Sequence, residues 1–172
     1  MKPLILGAAA AALLHITPTV TLVDRSEVVS RLLVGADRFT AREVHLSSSD
    51  ERRLHDAAGW TPPDDVITFY LGKRADQVEG VLVFMRVDSP HGPLEVAVGF
   101  DKAGAIRGVE VTKATVETKP WVVEALRAGL TNPYLGGAAS VKGKVGTMAE
   151  YMAELVDRGV AHAGASYRLF YR

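Results

Sequence analysis

Residues 94–118, LEVAVGFDKAGAIRGVEVTKATVET, constrain the fold more than any other stretch of this chain. Two runs rich in Val and other β-formers flank Asp101-Lys-Ala-Gly-Ala, where Gly104 is free to take a positive φ. So short a link joins its strands as an antiparallel hairpin. On the first strand Val96, Val98 and Phe100 share one face while Glu95, Ala97 and Gly99 share the other, so one side packs on a core.

The same punctuation continues upstream. Strands are predicted at 66–71, 79–87, 94–100 and Ile106–Thr115, separated by Gly72-Lys-Arg-Ala-Asp, by Ser89-Pro-His-Gly-Pro and by the hairpin turn. Short successive links give an antiparallel meander of three or four strands. Helices are expected on either side of it. Asp24 or Ser26 is placed to cap a short helix running to Leu33 and ended by Gly35. Ser47, Ser48 and Ser49 offer caps for a second, with Asp50 and Glu51 at its positive end and Gly59 as its stop. Pro120 opens a third, with Trp121, Val122, Ala125 and Leu126 as its apolar stripe and Gly129 at its end. Met148, Tyr151, Met152, Leu155 and Val156 form the stripe of a last helix, started by a Thr147/Glu150 capping-box pattern and stopped by Gly159. Residues 130–145 read as a long loop, and 165–171 as an edge strand or docking tail.

The fold class is therefore α+β, an antiparallel sheet meander packed with helices and preceded by an N-terminal hydrophobic helix. A chain of 172 residues makes one ordinary domain. Twenty basic and twenty acidic residues give no net field for nucleic acid, so no nucleic-acid partner is expected. The absence of cysteine removes disulfides, thiolate metal sites and Cys nucleophiles together. From Pro3 to Val23 there is no charge, and Lys2 precedes the run. About twenty such residues span roughly 30 Å as a helix, the thickness of a bilayer core. With its Leu4–Leu14 stretch and the small residues of 8–12, the run also suits a signal peptide. The expected organisation is a signal peptide or membrane anchor over 1–23 and a single domain over 24–172, on the outer face of a bacterial inner membrane.

The order of an exporting N-terminus, two small helices, a strand meander ending in Glu117-Thr118, a Trp-led helix, a glycine loop and a final amphipathic helix resembles the FMN-binding domain family. That family includes periplasmic flavin subunits of Na⁺-translocating NADH:quinone oxidoreductases and Rnf-type complexes, and smaller exported relatives. The likeness spans residues 26–159 and is clearest over 94–121. It implies FMN as cofactor, electron transfer as the activity and a membrane electron-transport complex as partner. In the family a Glu-Thr pair followed by Pro-Gly lies near the flavin; here Glu117 and Thr118 are followed by Lys119, Pro120 and Trp121. A Ser-Gly-Ala-Thr motif in the family opens the last helix and carries FMN on its Thr. This chain lacks that motif. One placement puts Val145, Gly146 and Thr147 there, with Thr147 as acceptor and the helix start facing the phosphate. Another uses Gly136, Gly137, Ala138 and Ala139, with Ser140 one position late. The implied cofactor residues are Glu117, Thr118, Gly146 and Thr147.

Each of these residues also has a plainer role. Thr147 with Glu150 serves as an ordinary helix cap, and Glu117 is free to pair with Lys113 or Lys119. Lys142 and Lys144 suit a phosphate or simply a solvated loop. Trp121 suits a core anchor. His45 and His55, with Asp50, Glu51 and Asp56 nearby, read as helix charges rather than metal ligands. No Gly-x-Ser-x-Gly, His-Glu-x-x-His, phosphate-loop or Gly-x-Gly-x-x-Gly pattern occurs. No catalytic side chain is assigned, so any redox chemistry rests with a cofactor. The alternative reading is a flavin-free accessory or structural subunit of a respiratory or photosynthetic electron-transfer complex.

Overall fold

The computed structural model describes residues 17–130 and 147–172. Among these, six strands form one antiparallel sheet: β1 (Thr19–Thr21), β2 (Arg38–His45), β3 (Val66–Arg74), β4 (Gln77–Val87), β5 (Leu94–Asp101) and β6 (Ile106–Thr115). Helices α1 (Arg25–Leu32), α2 (Ser48–Ala58), α3 (Lys119–Arg127) and α4 (Thr147–Phe170) pack against it. The sheet order β1-β6-β5-β4-β3-β2 makes strands two to six a simple meander, with β1 added at the far edge beside β6. The architecture is α+β, as the strand punctuation implied.

The hairpin shows how the turn sequence sets the register. The Asp101 carboxylate accepts from the amides of Ala103 and Ala105, both at 2.9 Å, and Gly104 takes φ +86°. A side chain at Gly104 would also meet the Tyr167 ring at 3.0 Å. From this turn, Val98 faces Val109 and Gly99 faces Gly108.

Alternation along the strands then builds two cores. Val81, Val83 and Met85 of β4, Val96 and Val98 of β5, and Val109 and Val111 of β6 are buried with Met152, Leu155 and Val156 of α4. Leu54 of α2 and Val122 and Ala125 of α3 close the same core. On the opposite face Leu82 and Ala97 meet Val28 and Leu32 of α1 and the following Leu33. Each Val, Leu or Met side chain so buried contributes roughly 1.5–3 kcal/mol. Two Arg–carboxylate pairs fasten α1 to the sheet: Arg25 to Glu95 on β5 and Arg31 to Glu110 on β6.

Three expectations change. The sheet has six strands rather than three or four, because two strands lack the expected composition. β2, Arg-Phe-Thr-Ala-Arg-Glu-Val-His, is an edge strand with exposed charge, and β1 lies near the end of the uncharged N-terminal run. Gly159 does not stop the last helix; α4 runs on through it to Phe170. A Cβ at Gly159 would lie 3.0 Å from Val96 and 3.2 Å from Val87, so this glycine lets the helix press against the sheet. Residues 165–171 are accordingly not a strand: all but the last belong to α4, with Ala165 and Tyr167 in the main core. Of the hydrophobic segment expected over 1–23, residues 1–16 lie outside the described residues and the remainder holds β1; of the loop expected over 130–145, all but Leu130 lies outside them. Among the described residues no helix is long and apolar enough to cross a membrane.

Candidate functional site

Glu117 and Thr118 leave the end of β6 in a tight turn that a reciprocal pair of threonines closes. The Thr115 amide donates to the Thr118 hydroxyl and the Thr118 amide donates to the Thr115 hydroxyl, each at 3.1 Å. The two hydroxyls lie 2.9 Å apart, and that of Thr115 also donates to the His91 carbonyl at 3.0 Å. Both threonines are buried, at 0% and 2% exposure, so the Thr118 hydroxyl is used inside the protein. Glu117 points outward. Its carboxylate accepts from Nδ1 of His91 at 2.8 Å, rather than pairing with Lys113 or Lys119.

His91 joins this turn to the helices. It sits in the Ser89-Pro-His-Gly-Pro turn between β4 and β5, where the Ser89 hydroxyl accepts from the His91 amide and donates to the Gly92 carbonyl. Its ring stands edge-on to Trp121 of α3, with centroids 5.0 Å apart, and to Tyr151 of α4, at 5.6 Å. The Tyr151 hydroxyl is buried and has no hydrogen-bond partner among the described residues. A buried, unpaired donor of this kind carries a desolvation cost that a ligand or neighbouring group would relieve.

Three separate parts of the chain therefore meet at one end of the sheet: the β4–β5 turn, the β6–α3 turn and the first turns of α4. Glu117 and Thr118 are brought together there. Thr147 is the first residue of α4, one turn before Tyr151, and Gly146 lies outside the described residues together with the alternative placement at 136–140. His91 and Tyr151 are the members that sequence reasoning did not single out. Tyr151 was read only as part of an apolar stripe, although its hydroxyl needs a partner wherever the ring is buried. For His91 the one signal was its place in a Pro- and Gly-rich turn.

A second concave feature lies near the N-terminus of α1. This cleft of about 350 Å³ is lined by Arg25, Trp60, Tyr70, Phe84, Arg86 and Glu95, among others. Arg25 lies over the Phe84 ring at 4.7 Å while bonding Glu95. Burial works against the charged form of Glu95, but bonds from Arg25 and Thr112, helped by Lys113, hold its carboxyl below the usual range. Neither Glu117 nor Thr118 lines this cleft. Among the described residues no group of three or more His, Asp or Glu side chains is arranged to hold a metal ion.

The fold and this site define an α+β domain with aromatic and carboxylate groups gathered at one end of an antiparallel sheet. Comparison of the chain with protein-family profiles, with curated proteins and with solved structures finds no match.

Proposed function

We propose that this chain is an exported FMN-binding-like domain, tethered to or secreted across a bacterial inner membrane, that takes part in electron transfer with a membrane complex. The observation that supports this most is convergence. Glu117 and the start of α4 are thirty residues apart in sequence, yet His91 and Tyr151 link them at one end of the sheet. Those are the two places where the family likeness puts the flavin. The buried Tyr151 hydroxyl fits a ligand there, since it lacks a partner among the described residues. Thr147 and Gly146 would hold the phosphate at the helix start, Tyr151 would donate to the ligand, and Glu117 with His91 would border it. FMN, when bound, supplies the redox chemistry, and the chain positions it.

A second reading, a flavin-free accessory subunit of such a complex, has its own support. Thr118 is fully engaged with Thr115, and His91 already contacts both Trp121 and Tyr151. Protein recovered from solubilised membranes separates the two. Under the first reading it carries flavin absorbance, and Thr147→Ala removes any covalently held flavin without unfolding the domain. Colourless protein that fails to quench the fluorescence of added FMN overturns the flavin reading and leaves the accessory role.

A further inference from the structure

Residues 59–63, which follow α2, bring Trp60 flat against the ring of His162 in α4. The ring centroids are 4.5 Å apart and the planes differ by 10°. Beside this stack lies a pocket of about 280 Å³, whose lining includes Val87, Arg86, Asp88, Arg158 and His162. It is separate from the Glu117–His91–Tyr151 cluster and shares no residue with it.

The polar groups of this pocket are not balanced. Arg86 uses Nε on Asp88 at 2.8 Å, and no other partner for its guanidinium occurs among the described residues. Arg158 pairs with no carboxylate among the described residues. His162 is only 8% exposed, and its Nδ1 is buried without a hydrogen-bond partner among the described residues. Burial pushes the His162 ring down to about 4, and the Arg158 charge pushes the same way. At neutral pH the imidazole is therefore uncharged. Among the described residues the remaining charged groups of the lining are two guanidinium ions, Arg86 from β4 and Arg158 from α4, against the single carboxylate of Asp88; residues 59–63 add none.

We propose that this pocket binds a small tetrahedral oxyanion, held between the Arg86 and Arg158 guanidinium groups and beside the His162 ring. Guanidinium forks match the oxygen spacing of such anions, and charge-assisted bonds to them are stronger than neutral ones. The apolar walls of Trp60 and Val87 lower the local dielectric and strengthen the attraction. The anion also supplies the countercharge that Arg158 lacks among the described residues.

Sulfate is a suitable probe because its charge is constant from mildly acid to neutral pH. In calorimetric titration of the full chain at neutral pH and fixed ionic strength, the expected result is saturable sulfate binding that weakens about tenfold in Arg158→Gln and recovers in part in Arg158→Lys. A second readout is the His162 ring, followed by NMR and identified with His162→Gln. A bound dianion offsets the Arg158 charge, so sulfate in place of chloride should raise the ring's titration midpoint by about 0.5–1 unit, and Arg158→Gln should abolish that response. Equal effects of sulfate and chloride on the wild-type ring, or undiminished sulfate affinity in Arg158→Gln, would overturn the assignment. Arg158 is exposed, so its variants keep the fold in which both readouts are made.

Discussion

Thr115 and Thr118 form a closed unit in which each amide is satisfied by the other's hydroxyl. Thr118→Val should therefore leave the buried Thr115 amide without its acceptor, costing about 1–3 kcal/mol in urea unfolding, far more than an exposed Thr→Val change. Thr118 was read in the sequence as a flavin neighbour because of the Glu-Thr pair; that its side chain turns inward to Thr115 depends on backbone geometry no spacing rule contains. His162 and Glu95 give the domain a pH dependence with one sign. The folded His162 ring takes a proton only near pH 4, whereas an unfolded His does so near 6.5, so the unfolded chain gains stability first as the medium is acidified. The His162 contribution to stability is complete above about pH 6.5 and falls toward pH 4, by roughly 3 kcal/mol at most. His162→Gln should flatten that slope in urea midpoints measured across the window. Glu95, held below the usual carboxylate range, adds a further loss at lower pH, as acid protonates it and releases Arg25.

At the scale of elements, two glycines of α4 behave oppositely although both sit inside one helix. Alanine normally stabilises a helix interior by about 1 kcal/mol over glycine. At Gly164 the one atom outside the helix's own backbone that an added Cβ would approach, among the described residues, is at the far end of the flexible Arg168 side chain, at 3.3 Å, so Gly164→Ala should raise stability by up to that amount. At Gly159 the Cβ would press on Val96 and Val87 at 3.0 and 3.2 Å, so Gly159→Ala should instead cost about 1–3 kcal/mol. Thermal midpoints of the two variants, displaced in opposite directions, test this. The helix stop assigned to Gly159 from sequence failed for the same reason: glycine marks a helix end and a close packing contact alike, and only the presence of β4 and β5 distinguishes them. Where the signal is local, sequence sufficed. Ser47 accepts from the Asp50 amide and Asp50 reaches back to the Ser47 amide at 3.1 Å, and Gly59 ends α2 in the left-handed conformation. The hairpin turn is equally local, with its aspartate and glycine both where the pattern placed them.

For the whole molecule, the placement of β1 sets where an independent domain must begin. Thr19–Thr21 pairs with residues 113–115 of β6, and the Val116 amide donates to the Pro18 carbonyl at 2.9 Å. A chain starting at Thr17 should melt like the full-length protein, whereas one starting at Asp24 bares the β6 edge and should melt lower and aggregate. The uncharged run from Pro3 to Val23 carried no sign of this strand, since residues fit for a membrane segment also fit a sheet edge once β6 offers them hydrogen bonds. By itself the sequence determined the class of fold, strands β3 to β6, the start of each described helix to within a residue or two and the tight turns, because period-two burial, caps and glycine turns are written in neighbouring residues. Tertiary structure alone decided the outer strands, the length of α4, the Arg25–Glu95 and Arg31–Glu110 clamps and the meeting of His91, Glu117, Trp121 and Tyr151. Those contacts join residues many positions apart, and their energy exists only once the sheet has brought the partners within bonding distance.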